Sequence, residues 1–183
     1  FPTRRSSDLQ VVSLDPLYAW PAAAIRERIA ATFPDVVRRM HAQSGHFALA
    51  GGDTIDALAS RRRQAMQRFL ADYQTESRDG RYVAGALPKL PFADDAFDLA
   101  LCSHLLFLYE TQLSHAFHLQ ALRELLRVAA EVRVFPLVNL DARPSAHLTP
   151  IRAALAAAGV QSEIVTVDYE VQRGARQMLR LAR

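Results

Sequence analysis

The sequence has little cysteine and no long apolar run, and each scarcity excludes a class of protein. Its 183 residues contain one cysteine, Cys102, so the chain cannot form an internal disulfide. A single thiol is typical of proteins in a reducing compartment, and a cytoplasmic location is expected. No apolar stretch approaches the roughly 20 residues that a membrane span needs. We therefore expect neither a disulfide-stapled secreted domain nor a membrane partner.

A strong excess of charge of one sign is also lacking. The formal net charge is +3, and Arg4 and Arg5 near the start supply two of those charges. One basic cluster stands out on a predicted helix: Arg61, Arg62, Arg63 and Arg68. It has no interleaved aromatic side chains on which bases would stack, so we interpret it as a solvent-exposed helix face. Nucleic acid is not an expected partner.

The first nine residues, FPTRRSSDL, have neither an initiator methionine nor a helix or strand pattern. They resemble the translation of a sequencing adaptor; the alternative is a natural disordered terminus. We expect residues 1–9 to be an artefactual leader that takes no part in the fold. Half of all residues are hydrophobic, which is enough for one core, so residues 10–183 are predicted to form a single domain.

Strand and helix patterns alternate along that domain. Apolar strands are predicted at 10–14, 82–84, from 97, at 131–138, and as a final pair joined by a turn at Gly174. Helical spacing is predicted from Pro21 to a break at Pro34, then again from Asp35, and at 54–76, 113–130 and 145–158. The run FDLALC from residue 97 indicates a strand buried on both faces. The final two strands are too close for a helical crossover and must pair antiparallel.

The carboxyl ends of the predicted strands carry the candidate functional residues, because ligands of open α/β sheets bind there. The positions that this rule selects are Asp15, Gly85, Ala86, Leu87, Ser103, His104, Asn139 and Asp141. Asp15 is the strongest candidate for ligand binding, since a carboxylate can accept two hydrogen bonds from the hydroxyls of a ribose. The alternative is an aspartate that starts a turn before Pro16.

The stretch RYVAGALPKLPFADDAFDLALCSHLLFLY resembles the middle of a class I S-adenosylmethionine-dependent methyltransferase. A strand, a loop of the form G-x-x-x-x-L-P-F, an acidic turn and F-D-L follow one another in both. The residues that carry the match are Gly85, Leu90, Pro91, Phe92, Asp94, Asp95, Phe97, Asp98 and Leu99. VVSLD is similar to the family's second strand with its ribose-binding acid, and the last two strands are similar to its C-terminal hairpin.

The resemblance implies a Rossmann-like, mostly parallel sheet with a C-terminal antiparallel strand pair. It implies binding of S-adenosyl-L-methionine at Asp15, Gly85, Ala86, Leu87 and Ser103, and methyl transfer to an oxygen or nitrogen of a small molecule. His104 is the candidate base, with a packing role as the alternative. The family's first strand and glycine-rich loop are missing, so this piece is expected to be inactive and to bind the cofactor poorly. The methyl acceptor and the oligomeric state are left open.

Two other functions remain open at this stage. One is a catalytically silent methyltransferase-like binding subunit, and the other is a nicotinamide-dependent oxidoreductase, which would lack the C-terminal hairpin. His115 and His118, three apart on a helix, could bind a metal, but no third ligand is evident and a solvated face is expected. Cys102 is interpreted as an inert core thiol. The helical segment 44–78 is either a cap over the substrate or part of an outer helical layer.

Overall fold

The computed structural model describes residues 10–49, 53–76 and 80–183, so the predicted leader at 1–9 lies outside the described residues. The described residues form a mixed α/β fold with four α-helices and two sheets, in the predicted element order. None of these helices is sufficiently long and apolar to cross a membrane. The described residues divide into two compact units: the first contains 10–42, 53–76 and 80–86, and the second contains 43–49 and 87–183.

The first unit combines a small parallel sheet with two long helices. Strand β1 (Ser13–Leu14) pairs in parallel with β2 (Tyr82–Val83). Helix α1 covers Ala22–Ala42 and α2 covers Ile55–Glu76. Their core is largely aromatic, with Ile25, Leu70 and Tyr73 buried under surrounding side chains. The four rings in mutual contact are Tyr18, Phe69, Tyr73 and Tyr82.

The predicted helix break at Pro34 is wrong, because α1 continues through that residue. A proline inside a helix lacks the N–H that would bond to the carbonyl four residues earlier, at a cost of about 3 kcal/mol. Burial on both sides of the proline offsets that cost: Phe33 precedes it and Met40 follows it, and both are buried. Tertiary packing therefore holds together a helix that local propensity would interrupt.

The second unit contains a four-stranded mixed sheet. Its strands are β3 (Phe97–Ser103), β4 (Ala129–Phe135), β5 (Gln161–Thr166) and β6 (Gln177–Ala182), in the spatial order β3-β4-β6-β5. Strands β3 and β4 are parallel, whereas β6 pairs antiparallel with both β4 and β5. The predicted antiparallel pairing of the last two strands is confirmed. Helices α3 (His115–Val128) and α4 (Leu148–Ala157) complete the unit.

Strand β3 is not buried on both faces, which corrects the expectation from the sequence. Leu101 is 69% exposed and Leu99 is 38% exposed, while Cys102 between them is buried. The continuous apolar sequence of β3 therefore does not mean that both faces of the strand are buried. Within this sheet β3 has one paired neighbour, β4.

The loop that precedes β3 is fixed to α3 by one ion pair. Arg127 donates to the carbonyl of Phe92 at 2.8 Å and to the Asp94 carboxylate at 2.7 Å. Glu124 accepts from Arg127 and also, at 2.7 Å, from the backbone N–H of Leu90. Hydrogen bonds from Arg127, the largest cause, lower the pKa of Glu124 to about 2. The L-P-F loop that carries the sequence resemblance is thus held in place by charge-assisted hydrogen bonds.

Candidate functional site

Asp15 directly follows β1, at the strand end where sequence reasoning placed a ligand. One carboxylate oxygen accepts from the backbone N–H of Leu17 at 2.8 Å and so caps a short 3-10 helix, Pro16–Ala19. The turn interpretation is therefore correct for this oxygen. Asp15 is half-buried, and no ion pair among the described residues involves it. A carboxylate has about four acceptor positions, so the cap leaves capacity for a ligand.

The residues after β2 belong to the same unit as Asp15. The backbone of Asp15 donates to the carbonyl of Val83 at 3.3 Å, so the ends of β1 and β2 are adjacent. Gly85 is half-buried and Ala86 is exposed. The half-buried Asp15 carboxylate thus lies at the same strand ends as Gly85 and Ala86.

The remaining predicted site residues, Leu87, Ser103 and His104, belong to the second unit. Ser103 and His104 end β3, and the Ser103 hydroxyl lies 2.7 Å from Nδ1 of His104. His104 has a φ of +55°, a conformation that side chains other than glycine seldom adopt. Its backbone N–H donates to the carbonyl of Phe135 at 2.7 Å, which ties it to the end of β4. Both side chains are exposed. A histidine held in this way at a strand end is suited to accept a proton.

A second polar group, centred on Glu110, was not predicted. Its carboxylate accepts from the Asn139 side-chain amide at 2.7 Å, from the Ser145 hydroxyl, and from the backbone N–H of Ala146 at 2.8 Å. Burial favours the neutral form, but the hydrogen bonds from Ser145, Asn139 and Ala146 outweigh it and lower the pKa of Glu110. Glu110 thus links the segment after β3 to the segment after β4.

A sequence signal for this group existed. Glu110 is the only acidic residue between Asp98 and Glu124, and a lone acid after a long apolar run needs partners when it is partly buried. Of the two residues predicted after β4, Asn139 belongs to this network. Asp141 donates its backbone N–H to the Asn139 side chain at 3.0 Å.

His115 and His118 do not form the solvated helix face that was expected. His118 is fully buried, and its Nδ1 is 2.8 Å from the carbonyl of Ser114. A third imidazole, His147, lies with its ring centroid 4.8 Å from that of His118 and 5.8 Å from that of His115. Burial, followed by the charge of His147, lowers the pKa of His118. Even so, no three His, Cys, Asp or Glu side chains in the described ranges are arranged to hold a metal ion.

Two further predictions concern single side chains. The basic cluster on α2 is exposed at Arg61, Arg63 and Arg68, whereas Arg62 is half-buried. Arg61 pairs with Asp53, and the Arg63 guanidinium lies 5.1 Å from the Phe33 ring centroid. Cys102 is buried, and that burial raises the pKa of its thiol to about 11. The thiol is therefore protonated at neutral pH, as expected of an inert core cysteine.

Comparison with known proteins shows a similarity to an archaeal protein. The protein named Uncharacterized protein MJ0045, from Methanocaldococcus jannaschii, is 34% identical to this chain over 130 residues. Those residues are 71% of this chain and 56% of that protein, so the chain spans little more than half of the relative's length. No family model and no solved structure matches the chain.

Proposed function

We propose that this chain is part of an enzyme that transfers a methyl group from S-adenosyl-L-methionine to an oxygen or nitrogen of a small molecule. The observation that carries the proposal is the C-terminal hairpin, in which β6 runs antiparallel between β4 and β5. A Rossmann-like methyltransferase has a hairpin at this end of its sheet, whereas a nicotinamide-dependent oxidoreductase is expected to lack one.

The strand ends supply groups for both halves of such a reaction. In the first unit, Asp15 would accept hydrogen bonds from the ribose hydroxyls, and the backbone at Gly85 and Ala86 would line the adenine. Leu87 and Ser103, in the second unit, are assigned to the cofactor by the sequence resemblance alone. These groups match the cofactor by chemistry: a carboxylate for a diol, and small residues for a flat base.

The protein's part in methyl transfer is alignment and removal of a proton. The bound sulfonium supplies an electrophilic methyl group, so the acceptor has only to approach in line. The Ser103 hydroxyl lies within hydrogen-bond distance of His104 Nδ1. If it accepts from a protonated Nδ1, Nε2 is the nitrogen that would take the proton that the acceptor's O–H or N–H loses. The acceptor gains the methyl group, and the proton leaves through His104.

Titration calorimetry tests the cofactor assignment. We would compare this chain with a version extended at its N-terminus by the first strand and glycine-rich loop of a methyltransferase, using S-adenosylmethionine and NADH as ligands. The expected result is weak or no binding by the chain and tight binding of S-adenosylmethionine by the extended form. Asp15→Asn keeps the oxygen that caps the 3-10 helix but removes the charge, so it should weaken binding; Asp35→Asn is the matched control.

The other results of this titration are equally informative. Binding of NADH in preference to S-adenosylmethionine would favour the oxidoreductase and overturn the proposal. Tight binding of S-adenosylmethionine without turnover on any oxygen or nitrogen acceptor would favour a silent binding subunit. If Asp15→Asn binds as tightly as the unchanged protein, the assigned role of Asp15 is wrong.

A further inference from the structure

A groove of about 410 Å³ lies between α1 and α2 within the first unit. Its apolar lining combines Ile29 and Phe33 of α1 with Met66 and Leu70 of α2. The volume falls at the lower end of the range for small-molecule sites, which are mostly apolar with a few polar groups. The groove is thus large enough for a small ligand with an apolar body.

The charged groups of the groove are all of one sign. Arg26 on α1 and Arg63 on α2 line it, and no Asp or Glu does. Neither arginine has an ion-pair partner among the described residues, although the nearby Arg61 is paired with Asp53. Arg63 also lies over the Phe33 ring, which holds its guanidinium above the apolar floor. Two unpaired guanidinium groups beside an apolar surface are complementary to an amphiphilic anion.

We infer that this groove binds a small amphiphilic carboxylate. Its apolar chain lies along the half-buried side chains of Ile29 and Met66, and the positive charge of Arg26 and Arg63 attracts its head group. This site is separate from the strand ends at Asp15 and Ala86, and it does not depend on the proposed methyl transfer. The amide of Gln67, the other polar side chain in the lining, can donate to the same head group.

Decanoate below its micelle concentration, with 1-decanol as the uncharged partner, provides the test by titration calorimetry on the full chain. We expect decanoate to bind more tightly than decanol. Arg26→Gln and Arg63→Gln should each weaken decanoate binding by roughly fivefold to tenfold, as expected for one lost charge-assisted contact at an exposed site. Arg28→Gln, on α1 but outside the lining, is the matched control and should leave the affinity unchanged.

A second pair of variants tests the location without altering charge. Ala30 is exposed and lines the groove, whereas its neighbour Ala31 is exposed and does not. Ala30→Trp should fill the groove and abolish binding, while Ala31→Trp should not; circular dichroism confirms that both variants fold. Equal affinity for decanol and decanoate, no binding of decanoate, or full binding by Ala30→Trp would each overturn the inference.

Discussion

The two units of the chain are stabilised in different ways. In the second unit, aliphatic side chains from the sheet and its helices are completely excluded from solvent, among them Leu122, Val132, Ile151, Leu155, Leu179 and Leu181. In the first unit, the most buried apolar side chains, Ile25 and Met40, retain 3% exposure, and tyrosine rings make up much of the core.

This difference in core composition indicates which interactions stabilise each unit. Aliphatic burial in the second unit is non-directional and scales with the area removed from water. The first unit adds directed hydrogen bonds: the Tyr73 hydroxyl is 3.0 Å from the carbonyls of both Tyr18 and Trp20, and the Ser13 and Tyr18 hydroxyls are 2.7 Å apart. Shortening a buried aliphatic side chain should therefore cause the largest loss of stability in the second unit. In the first unit, removing a single tyrosine hydroxyl should cause a measurable loss of stability.

The largest effect is expected from Leu179→Ala in β6. This side chain is fully buried, and removing it leaves a cavity, so the free energy of unfolding should fall by about 3–4 kcal/mol. Hydrogen exchange of backbone amides measures the loss separately for the residues of each unit. Leu101→Ala, the same change at an exposed position of β3, should cost less than about 1 kcal/mol. Equal losses in the two variants would contradict the assigned core.

A smaller loss is expected from Tyr73→Phe in the first unit. The change removes one hydroxyl donor and leaves the carbonyls of Tyr18 and Trp20 without it. A buried group left unpaired costs roughly 1–3 kcal/mol. Urea denaturation followed by tyrosine fluorescence measures the change. Tyr169→Phe, at a side chain that is 56% exposed, should be nearly neutral.

Thr54→Ala at the start of α2 should lower the free energy of unfolding by about 1 kcal/mol. The Thr54 hydroxyl accepts from the backbone N–H of Ala57 at 3.1 Å and so satisfies one of the unpaired donors at the helix start. Thr54→Ser keeps the hydroxyl and should retain most of the stability. A melting curve for Thr54→Ala that matches the unchanged protein would show that this cap does not contribute.

The smallest effect concerns pH. The pKa of His118 is lowered in the folded state by burial and then by the charge of His147. As the pH falls, His118 is therefore protonated in the unfolded chain, near pH 6.5, before it is protonated in the folded chain. Stability should be complete above that value and decrease as the pH falls below it. His118→Gln should flatten this slope between pH 6.5 and 5, whereas His46→Gln should preserve it. An unchanged slope in His118→Gln would contradict the assignment.

Sequence reasoning succeeded where the pattern is local. Helix α2, predicted at 54–76, is observed at Ile55–Glu76, and the antiparallel pairing of the last strands followed from the short connection between them. It failed where distant residues decide the outcome. Burial of Phe33 and Met40 carries α1 through Pro34, and the exposure of Leu101 depends on whether distant segments of the chain cover that face of β3.

In the candidate site, too, local sequence patterns predicted some residues, whereas contacts between distant residues were missed. Asp15, Ser103 and His104 could be selected because strand ends can be recognised in a sequence. Glu110 could have been noted as a lone acid, but its contacts could not be predicted, since Asn139 lies 29 residues away and Ser145 lies 35 residues away. The contact of His147 with His118 was missed for the same reason.

We propose above all that the Asp15 carboxylate holds the two ribose hydroxyls of S-adenosylmethionine. A double-mutant cycle on the extended chain tests it directly, by pairing Asp15→Asn with the 2′-deoxy form of the cofactor. A charge-assisted hydrogen bond contributes about 1.5–3 kcal/mol, so removing the 2′-hydroxyl should weaken binding to unchanged Asp15 by at least about tenfold. The same removal should weaken binding to Asp15→Asn by less than about threefold. Equal losses with Asp15 and with Asn at this position would contradict the claim.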